Sequence, residues 1–190
     1  MAVLSNLPHD DYFLWPANWP LMDCGIRQPS HLRVPINVGV KNPAAIRSLI
    51  VGLNPGAKEL AERRFFVGSA GMDLRRLYDS LWQKITPEET LVTNIVKIGT
   101  RRQGDLLRLK QRATCVRGCF LAEVRALPSL KEVFLLGEVA QGLFRQLVEP
   151  ELPGSGLAIY NLRHPARSRS LGTRLREILT IQLATPHQLG

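Results

Sequence analysis

The chain has 190 residues, 45% of them apolar and 22% charged, and carries 25 Lys and Arg against 16 Asp and Glu. That length and apolar fraction suit one compact domain and exclude a disordered tail. The apolar runs reach only about half of the roughly 20 residues that a membrane-spanning helix needs, and the net charge of +9 points to a polyanionic partner.

In chain order, the opening MAVLSNLPHDDYFLWP lacks the basic and long apolar regions of a signal peptide. Residues 1–45 are rich in proline (Pro8, Pro16, Pro20, Pro29, Pro35, Pro43) and show little periodicity. They read as an irregular arm packed on the domain by Tyr12, Phe13, Trp15 and Trp19. Residues 46–190 form the domain itself. RSLIVGL (47–53) is a short apolar run closed by the turn signal Asn54-Pro55-Gly56, the pattern of a buried strand. Leu74, Leu77, Tyr78, Leu81, Trp82 and Ile85 recur at helical spacing over 70–85. LVTNIVKI (91–98) reads as a second strand. The basic stretch 100–112 leads into a helix over about 113–127 that stops before Pro128. EVFLLG (132–137) is a third strand, and Val139, Leu143, Phe144 and Leu147 mark another helix. LAIYNL (157–162) is a fourth strand, followed by the polar loop RHPARSRS and a last helix with Leu171, Leu175, Ile178 and Leu179.

Four apolar strands alternating with helices predict a three-layer α/β/α domain around a central four-stranded parallel sheet. In such sheets the ligand crevice lies beyond the carboxyl ends of the strands. Asn54, Asn94 and His164 all fall there. The turn GLNPGAKE matches neither dinucleotide nor P-loop fingerprints. No serine sits at a strand-to-helix elbow, and the four histidines form no metal-ligand pair. Cys24, Cys115 and Cys119 fit no simple disulfide framework. The set suggests a reducing, cytoplasmic compartment, and Cys115 and Cys119, on one helix face, read as buried small hydrophobes. An amide, an aromatic face and a histidine in a basic surface suit an extruded nucleobase.

Four segments resemble motifs of the uracil-DNA glycosylase superfamily, in the same order and spacing. GLNPGAKE (52–59) looks like its first motif, and FFVGSAGMDLRRL (65–77) resembles a segment of the thermophilic and bacterial iron–sulfur branch. LVTNIVK (91–97) is similar to the strand bearing the base-reading asparagine, and RHPARSRSL (163–171) resembles the second active-site motif. The resemblance implies that Asn54 positions a water and that His164 bonds the leaving base. It implies a base pocket of Gly52, Leu53, Gly56, Asn94 and Phe66, with Phe65 the alternative stacking ring. Pro165, Arg167, Ser168, Arg169 and Leu171 would form the loop pressed into the minor groove, with Arg101 and Arg102 in a second phosphate-facing stretch. The implied reaction is hydrolysis of the N-glycosidic bond of uracil in DNA, with a monomer as the default state.

Three departures refine that expectation. Gly56 stands where the most uracil-selective branch has a tyrosine, which predicts a wider pocket open to other deaminated bases. The chain lacks an N-terminal CxxC and has Ile98 at a cluster-cysteine position, so no cofactor and no iron–sulfur cluster is expected. Ala166 replaces the second motif's usual serine. The alternatives are a catalytically weak member acting as a nucleic-acid-binding protein, and an unrelated Rossmann-like hydrolase.

Overall fold

A computed structural model describes residues 42–62, 89–99, 112–164 and 187–188. The arm up to residue 41, the helix expected over 70–85, the basic stretch to residue 111 and the last helix lie outside the described residues. Strand β1, Ser48–Gly52, is buried along its whole length, as its apolar run predicts. Pro55, which has no N–H to continue a ladder, follows it closely. Helix α1, Ala57–Glu62, was not expected from the sequence. Its start is nonetheless written locally: the Gly56 N–H donates to Glu59 Oε2 at 2.6 Å, the carboxylate half of a capping box.

Strand β2 is Thr90–Asn94, shorter than the 91–98 run suggested. Beyond Asn94 the chain turns over the end of β1, with the Ile95 N–H on the Gly52 carbonyl and the Val96 N–H on the Leu53 carbonyl, each at 2.9 Å. Helix α2 begins at Arg112–Cys115, continues through a π-helical turn, Val116–Phe120, and ends as Leu121–Arg125. Strand β3, Glu132–Leu136, helix α3, Glu138–Leu147, and strand β4, Ala158–Leu162, follow where the sequence places them. A two-residue strand β5, His187–Gln188, pairs antiparallel with β4 and is an addition to the expected four.

The sheet order is β2-β1-β3-β4-β5, with the first four strands parallel. The fold is therefore the predicted α/β class. Both crossovers that run from β2 to β3 and from β3 to β4 move the same way along the sheet, so right-handedness sends α2 and α3 to one face. Their contact bears this out: the Phe120 and Phe144 rings meet edge to face at 6.2 Å. Leu49, Val51, Val133, Leu135 and Ile159 line that face of the core. Ile50, Val92 and Phe134 are buried on the other, where Phe134 stacks on Tyr160. Burial and the neighbouring Glu132 carboxylate raise the Tyr160 hydroxyl above its ordinary pKa.

Cys115 and Cys119 are both fully buried on α2. Cys115 Sγ accepts from the Lys97 N–H at 3.1 Å, whereas Cys119 is disulfide-bonded, which corrects the reading of Cys119 as a small hydrophobe outside any disulfide. Spacing along the chain carries no signal for a bond that depends on tertiary approach. Cys24 lies outside the described residues. Within the described residues no helix is long and apolar enough to cross a membrane.

Candidate functional site

The order β2-β1-β3-β4 reverses direction between β1 and β3, and the crevice of such a sheet opens at that reversal, beyond the strands' carboxyl ends. Register brings the candidate residues to this one edge. Gly52 pairs with Asn94 across β1 and β2, and Leu136 pairs with Leu162 across β3 and β4. Asn54 thus leaves β1, Asn94 closes β2, Gly137 leaves β3 and His164 leaves β4. Neighbouring strands lie about 4.8 Å apart, so Asn54 and His164 stand roughly two strand spacings from each other. Gly137 occupies the position between them with no side chain.

Asn94 is the most unusual member of the set. It is 2% exposed, and its Nδ2 has no hydrogen-bond partner among the described residues. Buried amide donors are normally satisfied, so an orphaned one at the mouth of the crevice points toward a ligand group. Asn54 is half-buried, and its Nδ2 donates to the Ile98 carbonyl at 3.4 Å. That bond sets which way the amide faces. Neither asparagine can take a proton at neutral pH, so the site offers orientation and hydrogen bonding rather than a strong base.

His164 is half-buried and is held by the backbone around it. The Leu162 carbonyl accepts from the Gly137 N–H at 2.7 Å and from Gln141 Nε2 at 2.8 Å. Gln141 Nε2 also reaches the Leu135 carbonyl at 3.3 Å, clamping the ends of β3 and β4 together two residues before His164. Gly137 has φ +91° and ψ 149°, and a Cβ there would stand 3.1 Å from the His164 Cβ. Only glycine adopts that backbone readily. A Gly137→Ala substitution is therefore expected to lower unfolding stability by about 1 to 3 kcal/mol. Gly142, inside α3 with open space around it, gives the opposite sign: Gly142→Ala is expected to add about 0.5 to 1 kcal/mol. Urea unfolding of the two variants checks the pair.

Of the other residues singled out, Gly52 is buried, Leu53 half-buried and Gly56 exposed, all on the β1 side of the crevice. Phe66, Pro165, Arg167, Ser168, Arg169, Leu171, Arg101 and Arg102 lie outside the described residues. Sequence reasoning missed Gln141 and Gly137, whose roles depend on strand neighbours. It also missed a charged cluster behind the site, where Lys97 Nζ meets Glu123 Oε2 at 2.6 Å with both side chains almost fully buried. The available signal was a charge inside each of two apolar stretches. Among the described residues no group of three or more His, Cys, Asp or Glu side chains is placed to hold a metal ion.

No curated relative matches the chain. A family model does: the one described as the uracil DNA glycosylase superfamily matches residues 38–184.

Proposed function

The chain belongs to the uracil DNA glycosylase superfamily, and we propose that it is a monofunctional DNA glycosylase that excises uracil, together with other deaminated bases. The observation that carries this reading is the buried, unpartnered Nδ2 of Asn94, set at one edge with Asn54 and His164. An extruded pyrimidine supplies the missing acceptor through its ring carbonyl. Phe66 is the proposed stacking ring beneath that base.

The chemistry follows from what these groups can do. The bond from C1′ of the sugar to the base nitrogen lengthens first, and its electron pair leaves with the base. His164 donates a hydrogen bond to the base carbonyl where this negative charge gathers, an electrostatic role made effective by low dielectric. The sugar becomes oxocarbenium-like. Asn54 Oδ1 accepts a hydrogen bond from a water and directs its oxygen to C1′. Because an amide is not a general base, that water gives up its proton, through solvent to the departed base anion, only as the new C–O bond forms. The products are the free base and an abasic site.

The positive charge serves the substrate's backbone. Pro165, Arg167, Ser168, Arg169 and Leu171 are proposed to press into the minor groove, with Leu171 filling the vacated stack. Arg101 and Arg102 are proposed to face phosphates, so binding weakens steeply with salt. A single protein copy suffices for this arrangement.

The test is incubation with single- and double-stranded oligonucleotides carrying uracil, hypoxanthine, xanthine or thymine, followed by alkaline cleavage at abasic sites. Cleavage at uracil is expected, and Asn54→Ala and His164→Ala are each expected to slow it by about a hundredfold with folding retained. Binding without cleavage at high protein concentration would identify a nucleic-acid-binding member instead.

A further inference from the structure

Building on the roles given to Asn54 and Asn94 above, the geometry points to Lys97, Glu123 and Thr93 as a buried positioning group that holds both asparagines in place from behind the site. Lys97 and Glu123 are 2% and 0% exposed. Lys97 Nζ donates to Glu123 Oε2 at 2.6 Å and also to Thr93 Oγ1. The Thr93 hydroxyl in turn donates to the same Glu123 oxygen at 2.9 Å. Lys97 Nζ also lies 5.7 Å from the centre of the Phe120 ring. The ammonium, the hydroxyl and Glu123 Oε2 are thus joined between β2 and α2, on the sheet face opposite Asn94.

Apolar side chains would join β2 to α2 equally well, because desolvation of a buried ion pair offsets most of its attraction. What the ion pair adds is direction, and its members stand next to the residues that need it. Thr93 immediately precedes Asn94. Lys97 immediately precedes Ile98, whose carbonyl accepts from Asn54 Nδ2. The segment between them is a strap tied at each step. Ile95 and Val96 bond to the end of β1, and the Lys97 N–H donates to Cys115 Sγ on α2 at 3.1 Å. Gly99 then lies so close to the Asn54 turn that a Cβ would stand 3.2 Å from the Pro55 carbonyl and overlap Leu60. Lys97 is therefore moored to α2 through its backbone and its side chain, and the Ile98 carbonyl takes its position from that mooring. Loss of the charges frees the strap, and a displacement near 1 Å is worth about a hundredfold in rate.

The experiment compares the wild type with the paired Lys97→Met/Glu123→Leu variant, which removes both charges and keeps the volume. Thr93→Val, which removes only a hydroxyl, supplies the same comparison if the pair fails to fold. Amide hydrogen exchange is read over 50–62 and 90–99 against 132–148, together with single-turnover excision of uracil and DNA affinity. Exchange is expected to quicken in the first two segments by about tenfold and to stay unchanged in the third. Excision at saturating DNA is expected to fall by about ten- to a hundredfold with affinity held within about twofold. Exchange that stays at the wild-type level, or that quickens equally in all three segments, overturns the proposal. So does a variant that excises at the wild-type rate. A wild type that removes no base sinks the glycosylase reading alone, because the exchange pattern still decides this one.

Discussion

Replacing Asn94 by Leu is expected to cost about a thousandfold or more in uracil excision while leaving the protein at least as stable as the wild type. The two halves of that expectation come from one atom. Asn94 Nδ2 is buried without a partner among the described residues, and an unmade buried hydrogen bond costs roughly 1 to 3 kcal/mol. Leucine has the same number and branching of side-chain heavy atoms, though its methyl groups are bulkier, and it carries no polar atom at the end of β2. The free protein therefore loses a penalty, and its unfolding midpoint in urea holds or rises. The bound state behaves oppositely. A pyrimidine turned into the crevice would bury its carbonyl and ring N–H against a methyl surface, and a site built to bond such groups discriminates by about ten-thousandfold or more when the partner is missing. Excision and urea unfolding measured on the same preparation check both. An Asn94→Leu variant destabilised by several kcal/mol would mark Asn94 as a structural amide; retained excision would show that the base is read elsewhere.

The strands were legible because each is a short apolar run stopped by turn residues, as in Ser48–Gly52 before Asn54-Pro55-Gly56. Their order was not, since pairing depends on approach in space. Helix α1 went unread because six residues are too few to show a period, although the Gly56-to-Glu59 bond has a visible spacing. The second strand was read too far for a physical reason: Ile95, Val96 and Ile98 are as buried as strand residues, but the chain has already left the ladder, and Ile95 and Val96 bond to the end of β1 in a turn. Asn54, Asn94 and His164 could be gathered from chain order alone, because parallel strands deliver their carboxyl ends to one edge. The Gln141 clamp and the Lys97–Glu123 pair could not, because each links residues from different elements. Lys97 and Glu123 announced only that a charge interrupts an apolar stretch, which is also what a solvated face looks like.

Lys97→Met alone is expected to lower the unfolding free energy by about 3 to 5 kcal/mol, whereas Lys97→Met combined with Glu123→Leu is expected to return to within about 1 to 2 kcal/mol of the wild type. The asymmetry lies in what each change leaves behind. Removing Lys97 takes the facing cation from the Glu123 carboxylate, which is 0% exposed and still accepts from the Thr93 hydroxyl. A buried charge without its partner bears nearly the full cost of leaving water. Removing both charges abolishes that cost, and Met and Leu gain contact with Phe120, which is itself fully buried. The same ion pair is thus costly to break and nearly neutral to delete. Urea unfolding of both single variants and the pair closes a double-mutant cycle, and the coupling is expected to be several kcal/mol. Additive effects would show that the two side chains do not share one site. If the pair recovers stability while excision stays slow, the charges are kept for the placement of Asn54 and Asn94 and not for the strength of the fold.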